Sequence, residues 1–80
     1  MDAERIKQRL TPIFQDVFDD SALEVRDDMT AKDVEAWDSL THVDLIVAVE
    51  KEFKIKLTTA EVRKLQNVGD FIRLIREKAA

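Results

Sequence analysis

Eighty residues make one domain, residues 1–80, and a chain this short buries only about 60–65% of the surface its unfolded form exposes, enough for a single modest core. The absence of cysteine excludes disulfides and thiolate metal sites, one histidine argues against a zinc site, and one glycine and one proline argue against a turn-rich β fold. Charged residues reach 38% at a net charge of −4, no apolar run has the length of a signal peptide or a membrane span, and a soluble cytoplasmic protein is the expectation.

Ile6, Leu10, Ile13, Phe14, Val17 and Phe18 recur at helical spacing, which predicts an amphipathic helix over about residues 3–18. Pro12 lies almost opposite that stripe, where it removes one backbone hydrogen bond and should kink the helix with the ring on the solvent side. The alternative is two short helices, the second capped by Thr11 with Pro12 at its first position.

Residues 19–38 show no sustained period. Leu23, Val25, Met29 and Val34 are scattered among acids, which predicts a long loop pinned at a few apolar points, with a short turn from Thr30. A loop of this length in a small domain is usually functional or disordered. Its acids Asp19, Asp20, Asp27 and Asp28 lack the alternation around a central glycine that a calcium-binding EF-hand requires. Over residues 19–53 eleven acids face three bases, whereas residues 54–80 carry three acids and seven bases. The acidic middle would repel nucleic acid and favour partners with basic patches.

Residues 39–53 form the clearest helix, with Asp38 as its N-cap. At 100° per residue, Leu45, Ile46, Val49 and Phe53 make a broad apolar face that includes His42. Leu40, Val43 and Val47 make a narrow second stripe, flanked by Asp44, Glu50 and Lys51. Ile55 and Leu57 follow in a connection. Thr58 and Glu61 match a capping box that starts a short helix through about Leu65. Asn67 caps a last helix whose apolar face is Val68, Phe71, Ile72 and Ile75, with basic Arg73, Arg76 and Lys78 toward its C-terminal end.

The segment Trp37-Asp38-Ser39-Leu40 carries the chemistry. A serine that opens a helix just after a loop exposes its hydroxyl, and a helix N-terminus favours an anion, so a phosphodiester on Ser39 would be well placed. The plain alternative makes Ser39 a first-turn or capping residue only. The Leu40–Val43–Val47 stripe is not needed to close the core, and beside carboxylates one turn from the serine it has the character of a docking surface.

Asp38-Ser39-Leu40, followed by Val43, Asp44, Leu45, Glu50, Glu52 and Phe53, resembles the acyl carrier proteins: a DSL motif opening an acidic amphipathic second helix that ends in phenylalanine. The resemblance covers essentially the whole chain. It implies an all-α, four-helix acyl-carrier-like bundle, three main helices and one short one, with a long first loop. It implies a 4'-phosphopantetheine arm, moved from coenzyme A onto Ser39 by a phosphopantetheinyl transferase, with Asp38 and Leu40 completing the motif. The arm's thiol would hold acyl groups as thioesters, so a chain without cysteine can do thiol chemistry through its cofactor. The family docks on basic patches of acyl-activating, acyltransferase or ketosynthase-type enzymes, here through Asp38, Leu40, Val43, Asp44, Val47 and Glu50. It can shelter an acyl chain between its second and third helices, here lined by Ile46, Val49, Leu57 and Val62. A mobile monomer without metal or membrane span, and without catalysis of its own, completes the expectation.

Departures from the family pattern are Trp37 before the motif, Thr41-His42 after it, and Lys51 in an otherwise acidic face. With a sequence pI of about 4.9 these point to a specialised lipid or polyketide-type pathway rather than housekeeping fatty-acid synthesis. Three rival readings remain. A peptidyl or aminoacyl carrier shares the fold but usually has a glycine-rich approach to the serine, where this chain has Glu35-Ala36-Trp37. Catalysis by Ser39 with His42 needs contact between base and hydroxyl and an oxyanion hole, and His42 falls on the apolar face as a half-buried neutral residue. An acidic interaction module without a prosthetic group would keep the docking face, with Trp37 as an anchor, but would not depend on the Ser39 hydroxyl. Trp37 is expected to pack over the loop.

Overall fold

A computed structural model describes residues 2–79. Asp2 opens α1 (Ala3–Val17) by accepting the Arg5 amide at 2.8 Å. The helix runs unbroken through exposed Pro12, so the two-helix alternative fails; the Thr11 hydroxyl donates back to the Lys7 carbonyl at 2.9 Å instead of capping a new helix. Ile6, Leu10 and Phe14 are buried along the predicted stripe, and Phe18 follows them inward as the C-cap residue.

The remaining helices are α2 (Ser39–Phe53), α3 (Thr59–Arg63) and α4 (Val68–Lys78), and α1 packs against both α2 and α4. Among the described residues there is no strand beyond one isolated bridge between Thr30 and Asn67. Each helix start carries the cap its sequence advertised: Asp38 for α2, Thr58 with Glu61 for α3, and Asn67 for α4. α2 ends on Lys54, whose left-handed φ of 56° stops the helix where a glycine is more usual. α3 ends two residues before the predicted Leu65 and buries none of its own residues; Leu65 turns inward beyond it and is buried.

The loop of residues 19–38 is tied down by side chains and backbone alike. Val25 and Met29 are buried, and Leu23 and Val34 pack against the core. The turn at Thr30 closes as predicted, with the Asp33 amide donating to the Thr30 carbonyl at 3.0 Å and the Thr30 amide donating to Asp33 Oδ2 at 3.0 Å. Loop carbonyls then cap α4: the Val68 amide donates to Met29 O at 3.1 Å and the Gly69 amide to Asp27 O at 2.8 Å. With the Asp70 amide bonded to Asn67 Oδ1 at 2.8 Å, the first three N–H groups of α4 are all satisfied.

Trp37 corrects the sequence expectation most clearly. It is 5% exposed and belongs to the core, so it is neither a cover over the loop nor a surface anchor. Its ring meets Phe14 edge-on at 5.5 Å, and Phe14 meets Phe18 and Phe71 in the same way at 5.7 Å each. T-shaped contacts of this kind add about 0.5–1.5 kcal/mol beyond the area they bury. The aromatic cluster therefore fixes the residue immediately before the Asp38-Ser39 pair.

Candidate functional site

With Trp37 held in the core, Asp38 turns into α2 with an extended backbone and its carboxylate takes the first-turn amides. Oδ1 accepts from Leu40 at 2.9 Å and from Thr41 at 3.0 Å. Thr41 completes the box: its Oγ1 accepts the Asp38 amide at 2.8 Å and donates to the Ala36 carbonyl at 2.7 Å. The Thr41 amide holds the Asp38 carboxyl below its ordinary pKa against an opposing desolvation, with the Leu40 amide and the Thr41 hydroxyl assisting.

Ser39 is the first residue of α2 and is exposed. Because Asp38 does the capping, the Ser39 hydroxyl is left without a hydrogen bond to any described residue. The same capping revises the electrostatic expectation: two of the amides that could have cradled an anion are committed to the Asp38 carboxylate. The basic residues that share a groove with Ser39 are Lys32 and Arg63. Both are exposed, both line the groove beside the serine, and neither has an ion-pair partner among the described residues.

That groove has a volume of about 720 Å³ and lies between the Thr30 turn, the start of α2 and α3. Trp37, His42, Val62 and Leu65 form its less exposed wall. Of the four residues expected to line an acyl cavity, only Val62 lines it. Ile46 and Val49 are buried in the core, Val49 completely, and Leu57 packs half-buried against it. Their part of the broad apolar face is spent on closing a small core. Trp37, Lys32, Arg63 and Leu65 were not picked out as groove residues from the sequence. His42 carried a signal, since residues three apart share a helix face and it stands one turn beyond Ser39.

His42 is half-buried, as expected, and is turned toward Trp37. The Trp37 indole Nε1–H donates to His42 Nδ1 at 3.2 Å, the two ring planes lie within 18° of each other with centroids 6.3 Å apart, and Phe71 meets the imidazole edge-on at 5.9 Å. No hydrogen bond joins His42 to Ser39, so the pairing a nucleophilic site requires is not formed.

The second stripe of α2 stands open. Leu40, Val43 and Val47 are 77%, 57% and 44% exposed, and Asp44 beside them is exposed too. Glu50 departs from the rim: it is half-buried, and its Oε2 accepts the Leu57 amide at 2.8 Å, which ties down the α2–α3 connection. Glu52 is likewise engaged, paired with Arg9 at 2.7 Å.

Residues 8–75 match the family described as the phosphopantetheine attachment site. An acyl carrier protein of Caulobacter vibrioides is 42% identical over 43 residues, which is 54% of this chain and 55% of that protein. This chain thus spans about half the length of that curated relative. An acyl carrier protein of Clostridium acetobutylicum is 32% identical over 69 residues, covering 86% of this chain and 90% of its own length. The solution structure of a holo acyl carrier protein from Geobacter metallireducens superposes with a TM-score of 0.84 at 46% identity, over 90% of this chain and 83% of that one.

Proposed function

The chain belongs to the acyl carrier protein family, non-catalytic carriers with covalent phosphopantetheine, and on that premise we propose that Ser39 is its attachment residue. The observation that carries this reading is the division of labour at the start of α2: Asp38 caps the helix, and the adjacent Ser39 hydroxyl is exposed and unbonded. When bound, the group supplies a terminal thiol that holds acyl cargo as a thioester. In the transfer, Ser39 Oγ would bond to the pantetheine-side phosphorus of coenzyme A while the pyrophosphate P–O bond breaks, the serine proton being balanced on the departing adenosine 3',5'-bisphosphate. Lys32 and Arg63 offer the phosphodiester the positive charge that the capped amides no longer give.

Leu40, Val43 and Val47 with Asp38 and Asp44 form the face offered to partners. These are a phosphopantetheinyl transferase and acyl-activating, acyltransferase or ketosynthase-type enzymes with basic patches. The apolar strip supplies most of the contact area; exposed rim carboxylates act mainly on encounter rate and register. Glu50 is left out of this face because its carboxylate serves the α2–α3 connection. The carrier works as a cytoplasmic monomer, and Trp37, Thr41, His42 and Lys51 mark it for a specialised lipid or polyketide-type pathway. No described helix is long and apolar enough to cross a membrane.

The test is intact mass after incubation with coenzyme A and a broad-specificity phosphopantetheinyl transferase, with Ser39→Ala alongside. A gain of one phosphopantetheine on the wild type alone is the expected result. Gain on both chains would move the attachment elsewhere, and no gain on folded wild type with an active transferase control would favour an interaction module without a prosthetic group.

A further inference from the structure

We propose that His42 is a positioning residue for the arm, donating a hydrogen bond from Nε2–H to an amide carbonyl of phosphopantetheine laid along the groove beside Ser39. The inference rests on Ser39 being the attachment residue, and it begins with the tautomer. An indole N–H can only donate. His42 Nδ1, which receives the Trp37 Nε1–H at 3.2 Å, must therefore present a lone pair. In a neutral imidazole the single proton is then on Nε2.

Nε2 has no hydrogen-bond partner among the described residues. Yet no buried side-chain nitrogen or oxygen among them lacks a partner. Nε2–H therefore reaches accessible surface, and His42 is one of the residues that line the groove. The ring carrying this donor is held in place, hydrogen-bonded at its other nitrogen to Trp37 and met edge-on by Phe71. A donor fixed before binding loses little conformational freedom when it finds its acceptor.

The groove wall around it, Trp37, Val62 and Leu65, is mostly apolar. A neutral donor in such a wall suits a neutral acceptor better than an anion, and amide carbonyls are the neutral acceptors along a pantetheine chain. The charged Lys32 and Arg63 are better matched to the phosphodiester. His42 also stands one helical turn from Ser39, so donor and attachment point share one side of α2.

The test separates the two ring nitrogens. His42→Asn places an acceptor where Nδ1 serves Trp37 and removes the groove donor; His42→Gln does the reverse. Both variants and the wild type are converted to the holo form with 15N-labelled arm amides, and intact mass is recorded first. Failure of the wild type to gain mass would end the Ser39 reading, whereas full loading puts only His42 at issue. The readouts are arm-amide heteronuclear NOEs, hydroxylamine cleavage of an acetyl thioester, and the thermal midpoint.

Loss of one hydrogen bond of ordinary strength should make cleavage about fivefold faster in His42→Asn. Its arm NOEs should fall to those of free pantetheine, with a midpoint near that of the wild type. His42→Gln should unfold at lower temperature yet keep slow cleavage. Wild-type cleavage and NOEs in His42→Asn would overturn the proposal, and so would acceleration in both variants that tracks lost stability. Should a variant not fold, the imidazole 15N spectrum of the wild type decides: Nε2–H must shift and become protected from exchange between apo and holo forms, and an unchanged signal would overturn the assignment.

Discussion

Asp38 is asked to do two things with one carboxylate, capping α2 and standing beside the anion that the proposed attachment would place on Ser39. Its pKa is lowered in the fold, first by the Thr41 amide, so the ionised form is favoured by folding. A depressed carboxylate contributes stability that is fully present above the unfolded value near pH 4 and is lost as pH falls through the folded value. Glu61 behaves in the same direction, held down first by Lys78 and then by the Thr58 amide. Acid unfolding should therefore draw on these two caps. Asparagine caps a helix about as well as aspartate. Asp38→Asn should change stability little at pH 7 and flatten the fall of the thermal midpoint between about pH 5 and pH 2, where the wild type loses this carboxylate. Thermal scans across that range check it; an acid limb identical to the wild type would assign the loss to other groups.

At the scale of elements, helix starts were legible because caps are side chains, and side chains are what a sequence spells. Asp38, Thr58 with Glu61, and Asn67 each sit where their helices begin. The long loop was legible only as a loop, because what fastens it to α4 is the carbonyls of Asp27 and Met29, and any residue supplies a carbonyl. The one trace in the sequence was its single glycine. A Cβ on Gly69 would stand 3.2 Å from Asp27 O and 3.3 Å from Asn67 Oδ1, tighter than ordinary contact with two of the three groups that cap this helix. In an open helix, alanine in place of glycine gains up to about 1 kcal/mol. Here the crowded atoms are a backbone carbonyl already bonded to residue 69 and the cap oxygen itself, and neither can retreat without lengthening its own hydrogen bond. Leaving a capping group unsatisfied costs about 1–3 kcal/mol against a helical gain of up to about 1 kcal/mol, so Gly69→Ala should destabilise by about 1 kcal/mol. Urea unfolding measures it, and amide exchange at Val68 and residue 69 should quicken selectively. A more stable variant would mean the loop gives way freely.

At the scale of the molecule, the question is where a chain of eighty residues can afford space. Stability of about 0.05–0.15 kcal/mol per residue leaves roughly 4–12 kcal/mol in all, so an internal cavity is a serious expense. The aromatic contacts of Phe14 with Phe18, Trp37 and Phe71 close the centre, and Leu45 and Val49 are fully buried beside them. The apolar pattern of α2 identified Leu45, Ile46, Val49 and Phe53 as inward-facing; what it could not tell is that the inside is filled and that the room lies outside, against Trp37 and His42. Periodicity reports which face of a helix is apolar, whereas the volume left beside it depends on every element packed around it. Two valines from the sequence-based cavity separate the alternatives. Val49→Ala removes two methylene equivalents from the sealed core and should cost roughly 2 kcal/mol in urea unfolding. Val62→Ala, on the half-buried groove wall, should cost less than about 1 kcal/mol. If cargo rests in the groove, the acetyl thioester of the Val62→Ala holo protein should be cleaved faster by hydroxylamine, while that of Val49→Ala, assayed well below its lowered midpoint, should match the wild type. Faster cleavage in Val49→Ala alone would place the cargo in the core and require the aromatic cluster to open for it.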